Sequence, residues 1–287
     1  MRSTIASAFI GLSLLFTPAS QAAYLSPQWE LSGFSQPESV YVSTAHPWLY
    51  VSNVNGQEPG FISRLSKDGQ LDQLKWVDGL ETPTGMGMFE GSLYVADRVQ
   101  VHVIDLKTGK IIKNIKAKDA VMLNDLTISE KDEVFISDVA TGKIYTLKDD
   151  KLSVWFANPK LPHTNGLLAQ GNTLIAANMA SKLAQQFDKE EFGSIYKINM
   201  SDKSFEMINS SYKLGGLDGV AEFNNNLIVS HFPAGEIYQI SDNERILLGK
   251  VDISAADINV DKSTNTLYIP FLFNGKVASF KIIQNEK

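Results

Sequence analysis

The sequence contains no cysteine, which removes disulfide staples, thiolate nucleophiles and thiolate metal ligands at one stroke. A chain of 287 residues without them must hold by core packing, and its 44% hydrophobic and 20% charged residues suit an ordinary globular core. A basic face is missing too. Lys and Arg number 26 against 32 Asp and Glu, the net charge is −6, and the basic residues are scattered. A nucleic-acid backbone or an anionic membrane surface is thereby excluded as the main partner. No nucleophile elbow, Walker motif, dinucleotide fingerprint, metalloprotease helix or EF-hand loop occurs.

Only one apolar run is conspicuous. It covers residues 5–16, follows Arg2, and is too short and too interrupted by Ser and Gly to span a bilayer. Ser20-Gln21-Ala22 then fits a small-x-small cleavage site. Residues 1–22 are expected to be a cleaved export signal. Residues 23–287 would be the mature domain, secreted, and periplasmic if the host is Gram-negative. No cysteine stands at the cleavage point, so no lipid anchor is expected there.

What fills the rest is repetition, at a period of roughly 40 residues. One β-prone stretch recurs as 48–52, 92–96, 133–137, 173–177, 227–230 and 266–270; a second recurs as 60–64, 101–105, 142–146, 193–197, 235–239 and 275–279. β-Branched and aromatic residues dominate both. Lys67-Asp68-Gly69, Lys107-Thr108-Gly109 and Lys148-Asp149-Asp150 mark hairpins into a further strand. The pattern predicts an all-β fold, a single six-bladed β-propeller of four-stranded antiparallel blades. A β-sandwich would not generate six copies of one internal order. The last unit lacks a fourth strand of its own, so a segment around 29–34 is expected to supply it and close the ring. Residues 179–192 form an insertion, compatible with a helix, that reads either as a variable surface loop or as a lid over the channel.

Blade geometry gives the propeller a polarity. The start of each first strand and the end of each second strand lie at one end of a blade, and the first strand is innermost. The six first-strand starts are Glu38, Thr84, Asn124, Asn165, Asp218 and Ala256. Asn-Asp and Asn-Gly pairs also serve as plain turn dipeptides. The hairpin turns of these units lie elsewhere, however, and Glu38 after Pro37 is no turn former. Glu38, Asn124, Asn165 and Asp218 are therefore candidate ligands of a divalent metal. With hard oxygen donors and no His or Cys, Ca²⁺ is the first choice, with Mg²⁺ or Mn²⁺ as alternatives. The second-strand ends place Asn53, Asp97, Arg98, Asp138, Asn178 and His231 on the same face. His231 is the candidate proton-transfer group. His102 falls in a third strand and His46 in a hairpin turn, while His163 lies close before Asn165.

The run Pro37-Glu38, Leu123-Asn124-Asp125, Thr164-Asn165-Gly166-Leu167 and Leu217-Asp218-Gly219, at blade spacing, resembles the gluconolactonase/regucalcin (senescence-marker) propellers. The paraoxonase-like lactonases form their wider superfamily. The resemblance covers essentially the whole mature chain. It implies that Glu38, Asn165 and Asp218 hold a divalent metal, that Asn124 binds metal or substrate, and that Asp218 is the general base. Paraoxonase-like members match His231 and carry a further Asp-type ligand near Asp138. Asp138, Asn178, Thr84 and Met122 are the expected substrate contacts. Two positions depart from the pattern: Met122 stands where a substrate-binding Arg is common, and Thr84 where paraoxonases have a catalytic His. The expectation is a monomeric, metal-dependent lactonase or esterase acting on a small molecule. Its rival is a non-catalytic propeller that binds a small molecule or protein and keeps the ring for stability. A strictosidine-synthase-like lyase has no feature of the sequence in its favour.

Overall fold

Short runs of alternating β-formers, separated by Gly, Asn and Asp turns, can satisfy their backbone only by pairing antiparallel with the next run. In the computed structural model, which describes residues 23–284, 24 strands do so in six four-stranded sheets. These are the blades of the expected propeller. The expected export signal lies outside the described residues. From the axis outward, blade 1 runs Pro37–Val42, Trp48–Asn53, Gly60–Ser66 and Leu71–Leu80. Blades 2 to 5 repeat that order from first strands Pro83–Phe89, Leu123–Ile128, Thr164–Gln170 and Leu217–Phe223. Blade 6 has a first strand of only three residues, Asn259–Asp261.

The ring closes where the sequence lacks a strand. Tyr24–Ser32 pairs antiparallel with Lys276–Ile283 as the outermost strand of blade 6, beginning at Tyr24 rather than near Trp29. Between every two neighbouring blades lies an apolar core. Tyr50, Ile62, Met86 and Leu93 fill the space between blades 1 and 2, and Val40, Leu49, Tyr268 and Val277 that between blades 6 and 1. Each fully buried large side chain contributes about 1.5–3 kcal/mol, so six shared cores bind each blade to both neighbours.

Away from the axis, three of the four tryptophans do one job. Trp29, Trp76 and Trp155 sit on outermost strands, and the third-to-fourth-strand turn of the next blade packs onto each. The Trp29 indole N–H donates to the Lys67 carbonyl at 3.1 Å, and Gly69 lies flat on its ring. A Cβ at Gly69 would come within 2.7 Å of that ring, and its φ of +87° suits glycine. Lys203 spans Trp155 in the same way, donating to its carbonyl at 2.8 Å.

Candidate functional site

Five first strands carry the same irregularity. Their pairing with the second strand slips by one residue between Pro37 and Val40, Pro83 and Met86, Leu123 and Leu126, Thr164 and Leu167, and Leu217 and Val220. Each slip is a β-bulge, which bends the strand and re-aims the side chains within it. The first bulge residue in each blade is one of the expected axial residues: Glu38, Thr84, Asn124, Asn165 and Asp218. The second is Ser39, Gly85, Asp125, Gly166 or Gly219. In three blades a second-strand serine hydroxyl takes the N–H that the bulge frees. Ser52 accepts from Ser39, Ser137 from Asp125 and Ser230 from Gly219, all at 2.9 Å. In these three blades the bulge is thus marked in the chain by a serine at the next-to-last position of the second strand, where blades 2 and 4 carry Ala96 and Ala177.

The four oxygen-bearing candidates meet at the axis and are almost fully buried, Asn124 being the most exposed at 6%. Asn124 donates from Nδ2 to Glu38 Oε1 at 3.3 Å, and Asn165 from Nδ2 to Asp218 Oδ1 at 3.1 Å. Carboxylates accept only, so both amide nitrogens face them and both amide oxygens turn away. Those oxygens, Asn124 Oδ1 and Asn165 Oδ1, are buried without a partner, as is Glu38 Oε2. An orphaned buried acceptor costs about 1–3 kcal/mol. Three at one place form a set that a cation satisfies. Among the described residues no three His, Cys, Asp or Glu side chains gather as a ligand group; the axial donors are two carboxylates and two carboxamides.

Two acids that the sequence reading passed over share this region. Asp125 and Asp257 follow Asn124 and Ala256, and each reaches into the next blade. Asp125 accepts from the Leu167 and Leu126 amides at 2.6 Å, and Asp257 accepts from the Ser39 hydroxyl at 2.5 Å. Reading Asn124-Asp125 as a turn pair hides this role; the small residues at the equivalent positions, Ser39, Gly85, Gly166 and Gly219, are the clue. Burial pushes all four acids up. For Glu38, well above the usual range, burial is the main cause and the charges of Asp218, Asp257 and Asp125 add to it. Asp218 is raised to about 8 by burial and by Asp125, against the Asn165 hydrogen bond. Asp257 is raised well above its usual value and Asp125 to about 6, burial leading in both.

The second-strand ends lie on this face but turn their side chains elsewhere. Asp138, fully buried, accepts from the amides of Val121 at 2.9 Å, Met122 at 3.1 Å and Ala140 at 3.1 Å. Asp97 holds the Glu81 and Thr82 amides, and Asn53 the Ser35 amide. Asn178 donates to the Pro162 carbonyl, with Oδ1 buried and unpartnered. These groups staple the loops leading into the blades. Pairing explains why: Asp138 stands opposite Leu123, before the bulge, and does not share the direction of Asn124. Asp138 and Asn178, expected to touch substrate, are therefore placed as loop anchors. Thr84 hydrogen-bonds the Ala96 and Leu123 carbonyls at 3.3 Å, linking blades 2 and 3. Met122 is 39% exposed on the lead-in loop of blade 3.

His231 occupies the corresponding place in blade 5 and is 3% exposed. Its Nδ1 lies 3.3 Å from Glu236 Oε2, its Nε2 is buried and unpartnered, and Phe192 packs edge-on at 4.8 Å between ring centres. Burial holds the imidazole below its usual range, against the pull of Glu236. His102, by contrast, is fully used: Nε2 meets Asp97 at 2.7 Å and Nδ1 meets Asn114 at 2.6 Å. His163 Nδ1 is bonded to the Val139 carbonyl at 2.9 Å, and His46 is exposed.

One residue beyond the second-strand ends, Val139, Met179 and Phe232 form an apolar collar with Ala256, packed against Leu183 and Leu272. Leu183 belongs to the 179–192 insertion, which thus reaches across blade boundaries, as a lid would. The insertion is not the helix that its sequence permits. An Ala180–Phe192 bridge ties its ends together, and only two short 3₁₀ turns, Leu183–Gln185 and Lys189–Glu191, lie between. A single helix would hold those ends apart.

No protein-family description matches the chain, and no curated protein matches its sequence. Its fold is that of solved propellers. A streptogramin B lyase superposes with a TM-score of 0.63 at 11% identity, covering 91% of this chain and 98% of that one. The virginiamycin B lyase of Staphylococcus aureus gives 0.61 at 13%, covering 89% and 99%. A chain of a nidogen–laminin complex gives 0.59 at 14%, covering 79% and 92%. At such identities the likeness shows the fold alone, and the count of six blades rests on this chain's own sheets. No helix among the described residues is long and apolar enough to cross a membrane.

Proposed function

We propose that this propeller is an exported metal-dependent hydrolase of a lactone or related ester, akin to the gluconolactonase-type propellers. The observation that carries the reading is the trio of buried, unpartnered oxygens of Glu38, Asn124 and Asn165 beside the Asp218 carboxylate. Hard, mixed-charge oxygen donors of this kind suit Ca²⁺ first, and Mg²⁺ or Mn²⁺ next. When bound, such an ion would supply Lewis-acid polarisation of a carbonyl and charge for the oxyanion. Asp218, with Asn165 fixing one of its oxygens, serves as ligand and proton acceptor, and His231 is the second proton-transfer candidate. The collar of Val139, Met179, Phe232, Leu272 and Leu183 above these groups favours a substrate with an apolar body over a sugar lactone. Exposed Met122, where an arginine would grip sugar hydroxyls, points the same way.

Protein stripped with chelator and titrated with CaCl2 or MnCl2 tests this. The expected result is a metal-dependent rise in Tm, about 2.7 kcal/mol of stabilisation at a hundredfold excess over Kd. Turnover of an aliphatic lactone or aryl ester should accompany it. Asp218→Ala should abolish both. A metal-dependent rise with no turnover across a broad ester and lactone panel would make the protein a binding propeller instead. No metal response at all would sink the metal site.

A further inference from the structure

Blades 2 and 5 each contain a buried histidine paired with a carboxylate, and the two pairs are built in opposite senses. In blade 2 the acid ends the second strand (Asp97) and the histidine lies on the third (His102). Both ring nitrogens of His102 are bonded, and the acid's oxygens also hold two loop amides. That knot is saturated and has no atom left for a ligand. In blade 5 the histidine ends the second strand and the acid starts the third, His231 standing directly opposite Glu236. Here one nitrogen has no partner.

The proton count fixes which nitrogen carries hydrogen. The Tyr238 hydroxyl donates to Glu236 Oε2 at 2.8 Å, and the Glu236 side chain also faces the Lys250 ammonium at 3.7 Å. Burial and Glu236 hold the tyrosine pKa up at about 12, so it keeps its proton. Burial would raise the acid, but hydrogen bonds from Tyr238 and His231 outweigh it and keep Glu236 low and ionised. A carboxylate only accepts, so the contact with His231 Nδ1 requires a proton on Nδ1. In the neutral ring, Nε2 is then a bare acceptor. Glu236 sits on the strand outside His231, and the two nitrogens of an imidazole point in nearly opposite directions. Nε2 is therefore turned away from Glu236 and the third strand, and it is buried without a partner. The ring has little room to turn: Phe192 of the lid packs on it, and a Cβ at Gly215 would lie 2.5 Å from its Cγ.

We propose that Glu236 and Tyr238 are a positioning pair that keeps the His231 proton on Nδ1, leaving Nε2 as a bare hydrogen-bond acceptor for a bound molecule. On the hydrolase reading above, on which this last role rests, Nε2 takes a proton from the attacking water as its oxygen bonds the carbonyl carbon. The imidazolium then returns that proton to the departing alkoxide oxygen. Nδ1–H stays on Glu236 throughout.

Histidine-selective ¹⁵N labelling reads the tautomer directly, with the His231 signals assigned through His231→Gln. The wild-type protein should show Nδ1–H with an unprotonated Nε2. Glu236→Gln, which keeps a carbonyl acceptor, should retain that form, while Glu236→Leu should shift population to Nε2–H and Tyr238→Phe should shift it in part. If Glu236→Leu fails to fold, the Gln and Phe variants still carry the test. With phenyl acetate and CaCl2, Glu236→Leu should lower kcat about tenfold with little change in KM, and His231→Gln about a hundredfold or more. The double variant should be no worse than His231→Gln. An Nε2–H tautomer in the wild type, or a tautomer indifferent to residues 236 and 238, would overturn the proposal. A correct tautomer in a protein that turns over no ester would uphold the positioning pair and defeat the hydrolase reading.

Discussion

Two residues per bulge do two different jobs, one facing the axis and one facing the next blade, and single substitutions should separate these from the loop staples. Asp138→Ala would remove the carboxylate that now accepts from four amides, those of Val121, Met122, Ala140 and Thr141. The expected loss is on the order of 1–3 kcal/mol, read as a lower urea midpoint. Met122→Ala, at an exposed site on the same loop, should stay within about 0.5 kcal/mol. His231 carries a pH signature. Its folded pKa lies below the unfolded value of 6.5, so the unfolded chain binds more protons in that window. Its contribution is present above pH 6.5 and is lost as pH falls through the folded pKa. The drop in urea midpoint between pH 7.5 and 5.5 should therefore be smaller in His231→Gln than in the wild type. The axial residues could be read from the sequence because each recurs at a strand start. The direction of Asp138 and Asn178 could not, since it depends on a one-residue slip that leaves them opposite Leu123 and Thr164. Asp125, Asp257 and Glu236 act on neighbouring blades or strands, which no local pattern announces.

The second strands stood out at sequence level because they are buried on both faces and so rich in β-formers. The third strands, only partly buried in blades 3 to 5, stood out by their recurring β-former pattern. Outermost strands are exposed and shorter on signal; that of blade 4 is only Phe205–Met207. The insertion shows the limit of local propensity. Residues 182–190 could begin a helix, yet a stretch so short is marginal alone, and the Ala180–Phe192 bridge decides the matter. Replacing 182–190 with a short Gly-Ser link should leave a cooperatively folding propeller, because only Leu183 of that stretch joins the collar. It should also let diethyl pyrocarbonate reach His231 severalfold faster, as followed by mass spectrometry. An unchanged rate would mean that the segment does not cover the ring.

At the scale of the whole molecule, stability is distributed over six equivalent interfaces rather than one centre. The strand that joins the ends has a consequence for how the molecule comes into being. Among the described strands the first, Tyr24–Ser32, has no partner until the last, Lys276–Ile283, exists. Until then a growing chain presents two open sheet edges, and the core between blades 6 and 1 lies split between its two ends. Because Tyr24 faces Ile283, a variant in which a short linker joins these two strand ends directly can be opened instead at the Glu90-Gly91 turn. The same ring would then assemble with its late step moved to blade 2. Truncation before residue 276 should instead give aggregating protein in sedimentation, however intact the first five blades are. The molecule is a circle that the ribosome must write as a line, and the point where the line begins sets which blade is completed last.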